Sequence, residues 1–291
     1  MAKKLSVGGQ AVIEGVMMRG PGKIAVAVRQ PDGEIVVDCK PAGSISDRYP
    51  ILKKPLLRGV VSLVESLVYG MKALSWSAQQ SSEDEEKMTS GEVAGTILVS
   101  VALAILLFVV LPTGAMKLLQ NRGVSTLWLN LLEGFLRLGI FLAYIWGISR
   151  QKDIQRVFQY HGAEHKTIHT YEHGLTLNVE NVRPFTTLHP RCGTNFLMIV
   201  MLISIFIFAF LGWPNLLLRI VSRVLLMPVV AGISYEVIRF AGQHMEYRYV
   251  RAAIWPGLML QKLTTRQPDD AQIEVAIASL KAVLPPSEIM K

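Results

Sequence analysis

Four long apolar stretches constrain the fold of this chain more than any other feature of its sequence. A helix needs roughly 20 apolar residues to cross a bilayer, and the candidate stretches are 93–111, 127–148, 196–213 and 217–240. The first and third of them contain no charged side chain. Charged residues make up 18% of the chain, against about a quarter in a typical soluble protein. The sequence therefore predicts a mainly α-helical polytopic membrane protein with about four transmembrane helices.

The other two stretches do carry charges. Glu133 and Arg137 lie four residues apart in the second stretch, a spacing at which they pair on one helix face. The fourth contains Arg223, Glu236 and Arg239. Ionisable groups at such positions face a partner or a cavity, so Glu236 is predicted either to pair with an arginine or to serve as a metal ligand.

Basic side chains indicate the orientation of the spans. Twelve Lys and Arg precede residue 93, six lie in the loop 149–195, and six follow residue 241. Since cytoplasmic loops collect positive charge, both termini and this loop are predicted to be cytoplasmic, in a multi-pass protein of the cell membrane. Cys39 and Cys192 would then both stay reduced. The net charge of +8 suits anionic lipid. Nucleic-acid binding is a poor alternative, because no binding motif is present.

The remaining sequence suggests smaller elements around the spans. Strands are predicted at 11–18, 23–29 and 34–39, the last two as a hairpin, and amphipathic patterns predict an interfacial helix at 55–78 and a helix at 273–284. The predicted regions are a small cytoplasmic β element at 1–50, the interfacial helix with an acidic linker at 51–92, the four-helix membrane domain at 93–241, and a cytoplasmic tail at 242–291.

Histidines cluster in the loop 149–195. Five of the six fall within 29 residues, and four recur at every fourth position, at His161, His165, His169 and His173. Residues 161–165 read H-x-x-E-H, an inverted zinc-hydrolase helix motif. Positions four apart share a helix face, so His161 and His165 are predicted to bind one metal ion, with Glu164 as the general base beside it.

A catalytic zinc typically has three protein ligands, so one more is needed. His189, Cys192 and Glu236 are the candidates, and a cysteine ligand would favour zinc among divalent metals. His169 and His173 could form a second site with His165, but are predicted to be the solvated end of the helix.

Several long blocks of this sequence resemble one family, the bacterial YqhQ-like proteins. The blocks are GGQAVIEGVMMRGP at 8–21, HGAEHK at 161–166, HPRCGTNF at 189–196, the pair Tyr235-Glu236, and the region 256–266. This is a family of unknown function that is usually labelled a metal-dependent enzyme on the basis of prediction. The resemblance therefore implies metal dependence and names no substrate.

The leading hypothesis is a metal-dependent hydrolase at the cytoplasmic membrane face, acting on a membrane-associated protein or lipid. Glu164 would take a proton from a metal-activated water, and Arg191 or Lys166 would stabilise the developing oxyanion. Two alternatives remain. One is a metal transporter or sensor, and the other is a non-enzymatic scaffold with a closed structural site of His161, His165, His189 and Cys192. The sequence predicts no oligomeric state.

Overall fold

The protein is mainly helical, with a small antiparallel sheet near its N-terminus, as predicted. The computed structural model describes residues 5–82, 90–120, 122–212 and 215–289, so most of the predicted acidic linker lies outside the described residues. The four strands are β1 Gly8–Val12, β2 Gly15–Gly20, β3 Lys23–Arg29 and β4 Ile35–Pro41.

The sheet is a simple meander in the order β1-β2-β3-β4. The predicted hairpin is confirmed as β3 and β4, which pair from Lys23 with Pro41 to Arg29 with Ile35. The single strand predicted at 11–18 is wrong: Ile13 and Glu14 form a turn that divides it into β1 and β2. Glu14 adopts a positive φ of 51°. This conformation is usual for glycine, so a glutamate gives no sequence signal for the turn.

The other regular elements of the described chain are helices. They are α1 Ile45–Arg48, α2 Leu57–Ser81, α3 Ser90–Ile105, α4 Leu111–Gln120, α5 Thr126–Ile148, α6 Lys152–His173, α7 Val179–Val182, α8 Gly193–Ala209, α9 Leu216–Gln243, α10 Arg248–Thr264, α11 Asp270–Val283 and α12 Pro286–Ile289. A 3-10 turn spans Pro50–Lys53, and a π-helical segment, Leu106–Val110, joins α3 to α4.

Within the described ranges, three helices are long and apolar enough to cross a membrane. They are Ala94–Gln120, which runs through α3, the π segment and α4, together with Thr126–Ile148 and Leu218–Gln243. The helix α8 matches the remaining apolar stretch but is a shorter element of 17 residues. Apolar side chains on the outside of these helices are exposed, as at Leu118 and Leu225. We call α3, α4, α5, α8 and α9 the apolar bundle.

Both faces of the sheet are covered. One face packs Val16 and Met18 against Tyr160 of α6 and Ile273 of α11. The other face packs Met17, Val26 and their neighbours against α2. The predicted helices at 55–78 and 273–284 are thus α2 and α11, and each buries an apolar face on the sheet. We call β1–β4, α2, α6 and α11 the sheet module; it joins the two ends of the chain around the histidine helix.

Candidate metal centre

The histidine helix α6 brings the first two predicted ligands together. His161 and His165 lie one turn apart, and their ring centroids are 4.4 Å from each other. The face that carries them is buried from Tyr160 onwards. Gly174 ends the helix in the left-handed conformation with φ of 76°, the usual way for a helix to stop.

Cys192 completes this group from a different part of the chain. It is the N-cap of α8, and its Sγ accepts a hydrogen bond from the Thr194 backbone N–H at 3.4 Å. The His161 Nε2 atom lies 3.1 Å from the same sulfur. Ligand atoms of His161, His165 and Cys192 all lie within 4.8 Å of one another, so these three predicted residues meet at one point.

Backbone carbonyls fix the orientation of both imidazole rings. His161 Nδ1 donates to the Thr264 carbonyl at 2.8 Å, and His165 Nδ1 donates to the Thr187 carbonyl at 2.5 Å. In the neutral form of each ring, the lone pair is therefore on Nε2. His165 Nε2 is buried and has no hydrogen-bond partner among the described residues. Metal-binding histidines commonly donate their second nitrogen in this way.

A close helix contact explains why Thr264 reaches His161. A Cβ on Gly162 would lie 2.0 Å from the Arg266 carbonyl oxygen, so only glycine allows the segment after α10 to run against α6. The Arg266 N–H donates to the Phe158 carbonyl at 2.9 Å and holds the segment there.

Glu164 lies on the same buried face. Its Oε2 atom has no hydrogen-bond partner among the described residues, and its Oε1 lies 3.2 Å from the point that a Cβ on Gly9 would occupy. Burial raises the pKa of Glu164, although the neighbouring histidines oppose that shift. The N-terminal glycine-rich block therefore forms a wall of the site, next to the predicted base.

The cysteine and histidine shift each other's ionisation. Burial opposes the thiolate, yet the imidazoles of His161 and His165 bring the pKa of Cys192 well below its usual value. Burial also opposes a charged His161, but the Cys192 sulfur outweighs it and raises the pKa of His161 to about 9. The pair therefore favours a thiolate, which is the form of cysteine that binds metals or attacks electrophiles.

His189 belongs to a neighbouring group rather than to this one. Its ligand atom clusters with those of His169 and Glu172, and its Nδ1 accepts from the Arg191 N–H at 3.3 Å. Glu172 also forms an ion pair with Arg191. The solvated end predicted for the helix holds for His173, which is exposed, but is wrong for His169. That residue is half-buried and donates from Nε2 to the Leu188 carbonyl at 2.9 Å.

Two other predicted participants have partners outside the site. Glu236 pairs with Arg58 and accepts from the Leu56 N–H at 3.4 Å, so the structure does not bring it to the histidines. Its partner is Arg58 of α2 rather than Arg223 or Arg239. Lys166 donates to the Arg183 carbonyl at 2.6 Å and is not free to stabilise an oxyanion.

A large open pocket gives access to the three-ligand group. Its volume is about 960 Å³, and it lies between α2, α6, β1 and the start of α8. His161, Glu164, His165 and Cys192 all line it. A pocket of this size is within the range of small-molecule and peptide sites, so a molecule of that size could reach these residues.

Some supporting residues could not be identified from the sequence. Gln261 clamps the His189 backbone, accepting from its N–H and donating to its carbonyl, both at 2.8 Å. Gln261 lies in α10, and no helix was predicted in that part of the tail. Thr187 and Thr264 contribute through main-chain oxygens, which any residue possesses. For the segments 8–21 and 256–266, the family resemblance was the only sequence feature that linked them to the site.

Comparison with known proteins gives a family without a described activity. Residues 54–286 match the model described as a protein of unknown function, DUF1385. The chain is 35% identical to the uncharacterized protein YqhQ of Bacillus subtilis strain 168, over 95% of this chain and 92% of that protein. No solved structure matches the chain.

Proposed function

The chain belongs to the DUF1385 family, and from the geometry of its site we propose that it is a metal-dependent hydrolase of the cell membrane. His161, His165 and Cys192 would hold a divalent metal, with zinc favoured by the thiolate. One observation carries the proposal. His165 Nε2 is a buried acceptor without a partner among the described residues, and a ring nitrogen of His165 lies within 4.8 Å of ligand atoms of His161 and Cys192.

The donor set fits a catalytic ion better than a structural one. Three protein ligands leave a position for substrate or water, whereas structural zinc sites use four. The fourth ligand of a closed site would be His189, but its ligand atom groups with His169 and Glu172. The pocket of about 960 Å³ reaches the same three residues, so the fourth position is accessible.

The chain's own residues would have separate roles in hydrolysis. When bound, the ion supplies Lewis acidity at the head of the pocket. Glu164 accepts a proton from the attacking water through its unpartnered Oε2 and returns it to the leaving group. Its raised pKa brings it closer to the value at which a carboxyl exchanges protons near neutrality. Arg191 lines the pocket and would have to leave its ion pair with Glu172 to stabilise a developing oxyanion.

A transporter is less well supported. The charges within the apolar bundle pair with each other: Glu133 contacts both Arg137 and Arg223. The cavity beside them is only about 10 Å³, room for roughly one water molecule. This arrangement offers no ion path through that part of the bundle.

The apolar helices support a membrane location for the site. We propose that α8 is a fourth crossing, because 17 residues extend about 26 Å, close to the hydrocarbon thickness. Cys192 at its N-terminus would then lie at the membrane surface. The basic residues of the N-terminal region, the loop and the tail favour the cytoplasmic side, and a membrane-associated protein or lipid as the substrate.

Metal content tests the proposal. The detergent-purified protein should contain about one equivalent of metal, and His161→Ala/His165→Ala should lose it while remaining folded. His173→Ala is the matched control, since His173 is on the same helix but exposed; it should keep the metal. Absence of metal from the wild type after reconstitution with zinc would refute the proposal.

A second function is favoured by one contact. The 3.1 Å approach of His161 Nε2 to Cys192 Sγ, with the sulfur at the N-terminus of α8, is also the arrangement of a thiol nucleophile and its base. The same preparation discriminates between the two. A metal-free protein whose Cys192 is alkylated by iodoacetamide at pH 6, faster than exposed Cys39, would favour thiol catalysis; metal-dependent protection of Cys192 would favour the hydrolase.

A further inference from the structure

The first strand of the sheet has one free edge. β1 pairs with β2 only, and N–H and C=O groups along a strand point alternately to its two sides. The Ile13 N–H points away from β2, because it donates to Ser77 Oγ of α2 at 3.2 Å. Because the direction alternates, the backbone N–H groups of Ala11 and Gly9 also point away from β2.

The bonding of the next strand gives the same result. The Arg29 N–H donates to the Glu14 carbonyl at 2.9 Å, so the backbone carbonyl of Glu14 points toward β3. Because the direction alternates, the backbone N–H and C=O groups of Gly15 and Met17 point toward β1. Their partners are Val12 and Gln10, which leaves Gly9 and Ala11 facing outward. Among the described residues, no hydrogen bond is found to the outward groups of these two residues.

This free edge faces the pocket of the metal centre. Gly8 to Ala11 line the pocket from one side, while α2 and α6 line it from the two faces of the sheet. The space beside β1, where another strand would lie at about 4.8 Å, is therefore part of the pocket. Position 9 has no room for a side chain, since a Cβ there would be 2.4 Å from the Met17 carbonyl oxygen. The glycine therefore leaves this part of the pocket wall as bare backbone.

The charges around the pocket are already paired. Arg19 contacts Glu65 at 2.7 Å, and Arg58 and Arg191 pair with Glu236 and Glu172. An anionic lipid headgroup would have to displace these carboxylates, whereas a neutral peptide backbone needs only the outward donors and acceptors of β1. The lining therefore favours an extended peptide over a phospholipid.

We propose that the substrate is an extended polypeptide that binds as a fifth strand along β1, hydrogen-bonded to the backbone of Gly9 and Ala11. This inference rests on the proposed hydrolase and specifies its substrate class. Strand addition supplies affinity through main-chain bonds and leaves side chains for specificity. It would place a peptide bond beside the wall formed by Glu164 and His161.

The test measures binding without turnover. Full-length protein in detergent, carrying Glu164→Gln, is mixed with a pool of degenerate decapeptides that contain a central photo-crosslinking residue, and the crosslinks are mapped by mass spectrometry. We expect crosslinks in β1 and the facing part of α6. Ala11→Pro removes only an outward N–H and is tolerated on an edge strand; it should lower the crosslinking yield about tenfold, whereas Ala11→Ser should not.

Two further measurements keep the result unambiguous. A peptide pool N-methylated at alternate residues should crosslink about tenfold less than the unmethylated pool to the protein that retains Ala11. This comparison does not depend on the folding of any variant at position 11. Equal yields from both pools, or crosslinks only outside the pocket, would overturn the inference. Metal content is measured in parallel: a metal-loaded protein without crosslinks at β1 refutes strand binding alone, whereas crosslinks at β1 without metal refute the hydrolase alone.

Discussion

The sheet module and the apolar bundle each bury a glutamate, and the two carboxylates have opposite surroundings. In the bundle, Glu133 receives hydrogen bonds from Arg137 at 2.9 Å, from Arg223 and from Thr113 at 3.0 Å. In the sheet module, Glu164 Oε2 and His165 Nε2 are left without a partner. Buried polar groups normally find partners. The unpartnered pair lies where we propose that the metal and the attacking water bind, whereas the bonded carboxylate of Glu133 fits a structural role.

The largest difference should appear when each carboxylate is neutralised. Glu133→Gln leaves Arg137 and Arg223 buried beside a neutral amide, and should lower the free energy of unfolding by about 3–5 kcal/mol. Glu164→Gln removes a charge that burial already disfavours, and should change it by less than about 1 kcal/mol. Unfolding in mixed detergent micelles measures both. Equal losses would show that the two carboxylates have similar structural roles.

Acid should destabilise the protein through the buried neutral ring of His189, which lies beside the sheet module. Burial lowers the pKa of His189 to about 4, while the unfolded chain keeps a value of about 6.5. The unfolded state therefore takes up the proton first, and stability present above pH 6.5 is lost as the pH falls toward 4, by up to about 3 kcal/mol.

The measurement is the pH dependence of thermal unfolding in the metal-free protein. His189→Gln should flatten the loss between pH 6.5 and 4, and His173→Gln, on the exposed end of α6, should not. An unchanged slope in His189→Gln would show that this ring does not contribute to acid unfolding.

The smallest effect is expected where the two regions meet. Glu236 of α9 and Arg58 of α2 pair at a half-exposed position, with 27% and 28% of their side chains exposed. Glu236→Gln should cost about 1 kcal/mol or less and leave the metal content unchanged, as should the matched Arg58→Gln. Loss of metal from Glu236→Gln alone would establish it as the carboxylate ligand considered from the sequence.

The sequence predicted the parts of the fold that follow a period. Apolar runs located the long helices, and the spacing of Glu133 and Arg137 predicted their pair, which is confirmed. Alternation located β3 and β4, but not the turn at Glu14, whose positive φ depends on tertiary contacts. One of those contacts is the ion pair that Glu14 forms with Arg156 of α6.

The site was predictable only as far as local spacing extends. The pair His161 and His165 follows from one helix turn, and Cys192 was among the candidates for the next ligand. The carbonyls of Thr187 and Thr264 orient these rings from distant positions, and no side-chain pattern marks a backbone oxygen. Gly162 was visible only as a glycine in a helix; its contact with Arg266 depends on the course of the chain a hundred residues later.

The joining of the two chain ends has a consequence for biosynthesis. The apolar face of the sheet, with Val16 and Met18, is covered by Ile273 and its neighbours in α11, which are translated roughly 250 residues afterwards. At 5–20 residues per second this delay is about 10–50 s, and all the apolar helices emerge from the ribosome within it. The nascent sheet must therefore remain soluble until α11 arrives, with the part of this face that α6 does not cover left exposed. A chain truncated before α11 would expose that part to chaperones and proteases.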